Sequence, residues 1–216
     1  MKKFVFNKHP EIKDGEHAIF APSKKYLSRD LTEEQIYNIL YSLYAAQIGT
    51  AIHELCSQLI EEKQPIRKDA MRSMIYHTLY QDKIPIALIQ PERYIDTVVP
   101  YVKDAIGYDL IPEQRIVYQY PIAWGTADAI KFNPTKCELR IHDLKTGKTP
   151  ASLDQLIEYA AYFYLEYHIK PGDCKTILCI YQNGEVITGY PTASDILPIM
   201  DNAVALTKYV QNTYGG

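Results

Sequence analysis

The sequence lacks the closely spaced cysteine pairs that bind zinc or iron–sulfur clusters. Its 4 cysteines are scattered along the chain, at Cys56, Cys137, Cys174 and Cys179. Zinc ribbons and four-cysteine iron–sulfur centres need cysteines in short-range pairs. The sequence therefore predicts no iron–sulfur cluster and no zinc ribbon, and we expect the cysteines to be reduced thiols in the core or at the surface.

The sequence also lacks a long hydrophobic run. No segment approaches the roughly 20 consecutive apolar residues that a membrane-spanning helix requires. The first residues, MKKFVFNKHPEIKDGEH, begin with basic side chains but turn polar and charged before an apolar signal core develops. The prediction is a cytoplasmic protein with no membrane partner.

Repeats, low-complexity tracts and Gly/Ser-rich linkers are absent as well, which predicts a single domain over residues 1–216. The net charge of −3 argues mildly against a nucleic-acid partner, because general affinity for phosphates comes from clustered Lys and Arg. A nuclease can nevertheless be acidic, since its site must hold carboxylates for a cation. The 19 tyrosines could stack on bases or pack as large amphipathic groups, and this surface could also hold a protein partner or form a homo-oligomer.

Helical patterns cover the first half of the chain, about residues 30–106. Asp30 or Thr32 could cap a long helix whose apolar residues recur at helical spacing. Gly49 predicts either a break or a close packing contact in it, and a helical stretch that carries His53 follows. Two further helices are predicted over residues 68–80 and 92–106.

Strand patterns dominate about residues 113–190. The runs RIVYQYPIAW, GTADAIKF and ELRIHDLK predict an antiparallel meander. A helix with Ser152 as its cap follows, then a hairpin at Asn183-Gly184 and a last helix over about residues 194–212. This order of elements predicts an α/β or α+β layered fold with one central sheet.

The stretch HDLKTGKT, residues 142–149, has two interpretations. Gly147-Lys148-Thr149 could end a phosphate-binding loop, but that motif needs a glycine at the position of His142. It would also place the Asp143 carboxylate among the backbone amides that bind the phosphate. Alternatively, Asp143 and Lys145 lie two apart on a strand, so their side chains leave the same face of the sheet. We favour the second interpretation.

A carboxylate and an ammonium so placed are suited to metal-assisted hydrolysis. Asp143 could hold Mg²⁺ or Mn²⁺, and Lys145 could orient or deprotonate a water. One carboxylate holds a hard cation poorly, so a second ligand is expected on a neighbouring strand. Asp128 has the parity needed to face Asp143 if the two strands pair through a turn near residue 134.

Four sequence blocks extend this interpretation: GTAIHEL, GTADAI, HDLKTGK and DQLIEYA, which occur in this order and span about half the chain. Together they resemble the PD-(D/E)XK nuclease superfamily, most closely its branch of RecB-like and phage-type exonucleases. The resemblance implies a restriction-endonuclease-like core with a central mixed sheet flanked by helices. The order of elements predicted above is what that core requires.

The resemblance also implies roles for individual residues. Asp128 and Asp143 would bind the metal together with His53 and the carbonyl of Leu144, and Lys145 would be the catalytic lysine. Gln155 and Tyr159, one helical turn apart, would border the site and contact the nucleic-acid backbone. Glu113 could be an additional acidic ligand, although we expect a surface carboxylate there.

The function that the resemblance implies is Mg²⁺-dependent hydrolysis of DNA, most simply by an exonuclease that acts at DNA ends in recombination or repair. A recombination protein could then be a partner, and a bacterial or phage-infected cell would be the setting. One alternative is a structure-selective or restriction-type endonuclease on the same core. Another is a catalytically inert DNA-binding or protein-binding module.

Overall fold

The computed structural model describes residues 8–13 and 18–214. The chain divides into two compact units, Met1–Tyr44 and Ala45–Gly216. Parts of the amino-terminal segment considered above for a signal peptide, residues 1–7 and 14–17, lie outside the described residues. Among the residues that are described, no helix has both the length and the apolar character needed to cross a membrane.

The first unit contains two short 3-10 helices and the beginning of a long α-helix, α1. The short helices span Pro22–Lys24 and Tyr26–Ser28. Thr32 is the cap of α1: the Gln35 N–H donates to Thr32 Oγ1 over 3.3 Å, and the Thr32 N–H donates to Gln35 Oε1 over 3.0 Å. This reciprocal pair is a capping box, and it selects Thr32 over Asp30 as the helix start.

Ten α-helices and β-strands follow one another from Glu33 onwards in the described chain, together with two short 3-10 helices, Ile86–Leu88 and Pro171–Asp173. The helical half consists of α1 (Glu33–Glu61), α2 (Lys68–Gln81) and α3 (Glu92–Gly107). The remainder consists of β1 (Ile111–Gln119), β2 (Ala123–Asn133), β3 (Glu138–Lys145), α4 (Asp154–Glu166), β4 (Lys175–Gln182), β5 (Glu185–Gly189) and α5 (Ala193–Tyr214).

The five strands form one mixed sheet in the order β1-β2-β3-β4-β5. β3 and β4 are parallel and connected through α4, while the other neighbouring pairs are antiparallel. The prediction of an α+β fold with a central mixed sheet flanked by helices is therefore confirmed. The predicted hairpin at Asn183-Gly184 joins β4 to β5, with both residues at positive φ.

The main core lies between one face of the sheet and α4. Leu139 and Ile141 of β3 pack there with Leu156, Ala160 and other buried residues of α4. Because side chains alternate along a strand, Asp143 and Lys145 continue the same row of β3 beyond the apolar core. Asp143 and Lys145 therefore lie at the end of a row of apolar side chains, Leu139 and Ile141, whose packing in the core holds β3 in position.

The opposite face of the sheet packs against α3. Tyr181 of β4 stacks edge-on against Tyr101 of α3, and its hydroxyl donates to Asp104 over 2.6 Å. His142 of β3 lies next to Tyr181, with 3.3 Å between Nδ1 and the hydroxyl oxygen. Burial, and secondly the Arg140 guanidinium, lower the pKa of His142 to about 3, so this ring is neutral in the fold.

Several sequence expectations need correction. Cys137 and Cys174 are joined in a disulfide, whereas Cys56 and Cys179 are buried thiols as expected. Of the two alternatives expected at Gly49, the break is not found, because α1 continues through it. The expectation of reduced thiols fails for Cys137 and Cys174 because the turn between β2 and β3 lies next to the segment before β4. Two residues 37 apart in sequence thereby reach a Cα separation of 4.6 Å.

Two element boundaries also differ from the sequence pattern. The predicted run over residues 115–124 is divided by a turn, in which the Ile122 N–H donates to the Gln119 carbonyl over 2.8 Å. β1 instead begins earlier, at Ile111. Ser152 does not cap α4, since its hydroxyl donates to the Asp154 carboxylate and the cap position is Leu153.

Candidate metal centre

Three carboxylates lie side by side across the first three strands. In the β1–β2 register, the residues on either side of Glu113 pair with those on either side of Asp128. In the β2–β3 register, Ala129 pairs with His142, so that Asp128 and Asp143 come next on the two strands. Asp128 and Asp143 therefore lie at the same height of the sheet and on the same face, as predicted from the sequence.

His53 completes a group that could hold a metal ion. It projects from α1, and its Nδ1 lies 3.5 Å from Asp128 Oδ2. One ligand atom each from His53, Glu113 and Asp128 lies within 4.8 Å of the others, and no further His, Cys, Asp or Glu of the described chain extends this group. An imidazole and two carboxylates form a nitrogen and oxygen donor set that suits Mn²⁺ as well as Mg²⁺.

The charges in this group perturb one another. Burial alone would lower the pKa of His53, but the hydrogen bond and the negative charge of Asp128 outweigh it, and the pKa is raised above its ordinary value. Burial, together with repulsion by Asp128, raises the pKa of the Glu113 carboxyl. A bound cation would relieve the repulsion between these carboxylates.

Glu113 has a strained backbone in addition. Its φ is 49°, in the left-handed region, although it lies within a strand. For a residue with a Cβ this conformation costs about 1 kcal/mol or more. Such strain is often found at functional positions, and here it places the Glu113 carboxylate beside Asp128 and His53.

Asp143 and Lys145 form the second part of the site. Lys145 Nζ lies 3.0 Å from each carboxylate oxygen of Asp143 and donates to Gln155 Oε1 over 2.8 Å. Gln155 in turn donates to the Tyr159 hydroxyl over 3.4 Å. The residues predicted on β3 and α4 thus make one continuous chain of contacts, which fixes the ammonium between a carboxylate and an amide.

The Asp143 carboxylate is poorly satisfied for a buried charge. Its residue is 4% exposed, and no donor of the described residues forms a hydrogen bond with Oδ2, although Lys145 Nζ lies nearby. Burial, and then repulsion by Asp128, raise the pKa of Asp143 against the opposing pull of Lys145. A buried carboxylate oxygen without a donor is a natural ligand for a cation.

Close backbone contacts hold the surrounding elements in place. A side chain at Gly125 would come within 2.6 Å of the Tyr159 ring, so only glycine lets the ring lie against β2. A Cβ at Gly49 would lie 3.1 Å from Thr146 Oγ1, which is the close packing contact that the sequence offered as the alternative to a helix break. Both glycines therefore allow elements that carry site residues to approach.

Leu144 has a structural role as well as a predicted metal-ligating one. Its N–H donates to Asp128 Oδ2 over 2.8 Å, and its side chain is buried on the opposite face. Its carbonyl as a metal ligand stays a prediction. The hydrogen bond from its N–H orients Asp128 towards the site.

A polar groove leads along α1 to this centre. It has a volume of about 620 Å³, and its walls include Thr50, Ser57, Glu54 and Glu61 in addition to the three members of the metal group. The phosphate-binding-loop interpretation finds no support in the structure. A helix would have to start at Gly147-Lys148-Thr149, whereas α4 begins at Asp154.

Most of the site residues expected from sequence are brought together, and one was undervalued. His53, Asp128, Asp143, Lys145, Gln155 and Tyr159 lie in one connected region, described above. Glu113 is exposed, as expected, but it also belongs to the metal group. The signal that could have identified it is the alternation of β1, which would have to be extended back by two residues from Arg115, the start of the predicted strand, to reach it.

No protein-family model matches the chain, and no curated protein matches it. A solved structure described as the crystal structure of SSO0001 is similar to this chain with a TM-score of 0.32 and 11% sequence identity, over 74% of this chain and 86% of that chain. A likeness at this level supports no conclusion about fold or family.

Proposed function

We propose that the protein is a divalent-metal-dependent nuclease that hydrolyses DNA phosphodiester bonds, acting as an exonuclease. The observation that carries this proposal is the convergence of His53, Glu113 and Asp128 beside the Asp143–Lys145 pair. Carboxylates for a cation and an ammonium for developing negative charge are the groups that phosphodiester hydrolysis needs.

The residues present fit a divalent cation. Their ligand atoms are oxygen and nitrogen, and Oδ2 of Asp143, which has the Lys145 ammonium 3.0 Å away but accepts no hydrogen bond, lies close to the negative charge of Asp128. His53, Glu113 and Asp128 would hold the ion, with Asp143 adjacent. When bound, the ion supplies a lower pKa for a coordinated water and a positive charge for the scissile phosphate.

Lys145 supplies the second positive charge of the proposed mechanism. Asp143 and Gln155 hold its ammonium from two sides, so its position is set before substrate enters. An ammonium fixed in this way can orient the attacking water and offset charge that builds on the phosphorus. Tyr159 and Gln155 lie on the same face of α4, and we propose that they contact the phosphate backbone of the substrate.

The choice of an exonuclease rests on the resemblance of the Gln155-x-x-x-Tyr159 block to phage-type exonucleases. An endonuclease on the same core differs in one observable property, because it cuts DNA that has no ends. We therefore propose incubating the protein with Mg²⁺ or Mn²⁺ and three substrates in parallel: end-labelled linear duplex, linear single-stranded DNA and covalently closed circular DNA.

We expect mononucleotides or short oligonucleotides from a linear substrate, no cleavage of the circle, and no product in the presence of a chelator. Lys145→Ala should lower the rate at least about a hundredfold. The matched control Lys170→Ala removes an exposed ammonium in the loop before β4 and should retain the wild-type rate. Cleavage that persists in the presence of chelator, or full activity of Lys145→Ala, contradicts the proposal. Cleavage of the circular DNA would show that the protein is an endonuclease and not an exonuclease.

A further inference from the structure

A second cavity lies on the face of the sheet that packs against α3. It has a volume of about 230 Å³, and its walls come from α3, β3, β4 and β5. His142 lines this cavity, whereas its neighbour Asp143 belongs to the metal site on the other face. Because adjacent residues of a strand point to opposite faces, this cavity and the metal centre are separated by the sheet.

The wall of this cavity contains a buried polar atom without a partner. His142 is fully buried, and its Nε2 makes no hydrogen bond with any described residue. Tyr181 has one hydroxyl proton and donates it to Asp104, so the contact between Tyr181 and His142 requires Nδ1 to be the donor. Nδ1 of His142 therefore carries a proton, and Nε2 is left without a partner.

Positive charge lies against aromatic rings around the same cavity. The Arg140 guanidinium sits over the Tyr108 ring, 3.7 Å from its centroid, and its side chain is 14% exposed. Lys175 Nζ lies 5.6 Å from the centroid of the Tyr190 ring. The cation–π contact, an ion pair with Glu138 at 3.5 Å and the low exposure all restrict the Arg140 side chain, and a phosphate there would share the guanidinium with the Glu138 carboxylate.

The rings themselves are open to a ligand. Tyr108 is 51% exposed and Tyr190 is 63% exposed, large fractions for side chains that line a cavity. Such rings provide flat surfaces on which a planar heterocycle can stack. A neighbouring cavity of about 220 Å³ shares Tyr108 and Arg140 and adds Lys136, so a ligand can extend beyond the first cavity.

We infer that this cavity is a second ligand site, which binds a nucleotide unit. The phosphate would contact Arg140 and Lys175, and the base would stack on Tyr190. Inorganic phosphate cannot use the rings, and an uncharged base cannot use the two cations. A nucleotide meets both requirements. The inference does not depend on the proposed nuclease activity, because none of these residues belongs to the metal centre.

The same chemistry could come from a free nucleotide or from a nucleotide within a strand. The experiment is titration calorimetry of the whole chain in excess chelator, which prevents hydrolysis and keeps divalent ions from the metal centre. The ligands are the four nucleoside 5′-monophosphates one at a time, inorganic phosphate, the corresponding nucleosides, and short single-stranded DNA. We expect saturable binding of a monophosphate or of the oligonucleotide, and binding of phosphate or nucleoside at least about tenfold weaker.

Variants then locate the binding. Lys175→Gln combined with Tyr190→Ala should weaken it at least about tenfold, since both changes remove exposed groups that the proposal uses. Lys208→Gln with Tyr209→Ala is the matched control, an exposed Lys and Tyr pair on α5, and should not change it.

Binding of monophosphates supports a site for free nucleotides, and binding of the oligonucleotide alone supports a site for a strand. The inference is overturned by absence of binding up to millimolar concentrations of every ligand, by phosphate that binds as tightly as the nucleotide, or by unchanged affinity in the Lys175/Tyr190 variant. Absence of nuclease activity would not change any of these binding results. The proposed nuclease function and the proposed nucleotide site can therefore be disproved independently of each other.

Discussion

The two faces of β3 treat polar groups in opposite ways. On the face of Asp143, buried and half-buried carboxylates repel one another, and the charge of Asp143 is only partly compensated by Lys145. On the face of His142, the Tyr181 hydroxyl bridges a carboxylate and an imidazole. The first arrangement opposes folding and the second supports it, although they are built from adjacent residues of one strand.

On the proposed function, this difference separates residues that stabilise the fold from residues that take part in hydrolysis. A site that must attract a cation keeps negative charge uncompensated, and the free energy of unfolding is smaller as a result. In the network on the other face, the Tyr181 hydroxyl pairs with both Asp104 and His142 Nδ1, and only His142 Nε2 lacks a partner among these groups. Substitutions on the two faces should therefore affect activity and stability in opposite proportions.

The largest effect is expected for Asp143→Asn. The amide has the shape of the carboxylate but no charge, so the rate of DNA hydrolysis should fall at least about a hundredfold. Stability should be unchanged or higher: the pKa of Asp143 is raised in the fold, which means that at neutral pH its charged form is less favourable in the folded than in the unfolded chain. Cleavage rates and thermal unfolding of the same preparations check both parts.

A midpoint of unfolding that falls clearly in Asp143→Asn would contradict this account of the site, because it would show that the charge stabilises the fold. Addition of Mn²⁺ provides a second readout. It should raise the midpoint of the wild-type protein and raise that of the variant less, since a ligand stabilises the state that binds it.

On the other face, Tyr181→Phe should reverse the pattern. Loss of the hydroxyl leaves Asp104 and His142 Nδ1 without their partner, which costs about 1–3 kcal/mol of unfolding free energy. The cleavage rate of the folded protein should stay near the wild-type value. Urea unfolding measures the first quantity, and Tyr167→Phe, at an exposed ring, is the matched control.

A smaller and more selective effect is expected for Glu113→Gln. The substitution removes one negative charge from the metal group and keeps the side-chain length, so the affinity for Mn²⁺ should fall about tenfold. Activity should recover at high Mn²⁺ concentration, unlike that of Asp143→Asn. A rate that is low and independent of Mn²⁺ would instead indicate that Glu113 acts on the substrate.

Much of the residue arrangement on the face of Asp143 could be predicted from local sequence patterns. Alternation along β3 placed Asp143 and Lys145 on one face, and helical spacing placed Gln155 and Tyr159 together. The closeness of Asp128 and Asp143 followed from a turn near residue 134, and the two residues come directly after the last observed pair, Ala129 with His142. These inferences succeed because strand parity and a short connection leave few alternatives.

Contacts between distant segments were the part that could not be predicted. Glu113 joins the metal group only because β1 extends to Ile111, and the residue before it is Pro112, which weakens a strand pattern. The disulfide joins Cys137 to Cys174, and nothing in their spacing indicates that the chain returns there. The bridge from Asp104 to His142 through Tyr181 likewise depends on how α3 packs on the sheet.

The smallest effect is expected from a change that touches no charged group. In Gly125→Ala the new methyl group would lie 2.6 Å from the Tyr159 ring, so the ring must shift. Tyr159 contacts Gln155, which holds Lys145, and the displacement should lower the cleavage rate by up to about tenfold. Gly147→Ala is the control, because no described atom beyond its neighbours lies within 4 Å of its new Cβ.

The pair of glycine variants tests whether the position of the α4 residues matters to the metal face independently of charge. If Gly125→Ala slows cleavage while Mn²⁺ affinity stays at the wild-type value, the ring and Gln155 act through the placement of Lys145 or of the substrate. If Gly125→Ala and Gly147→Ala have equal rates, the contacts between Tyr159, Gln155 and Lys145 only pack α4 against the sheet. The functional part of the metal face would then end at β3.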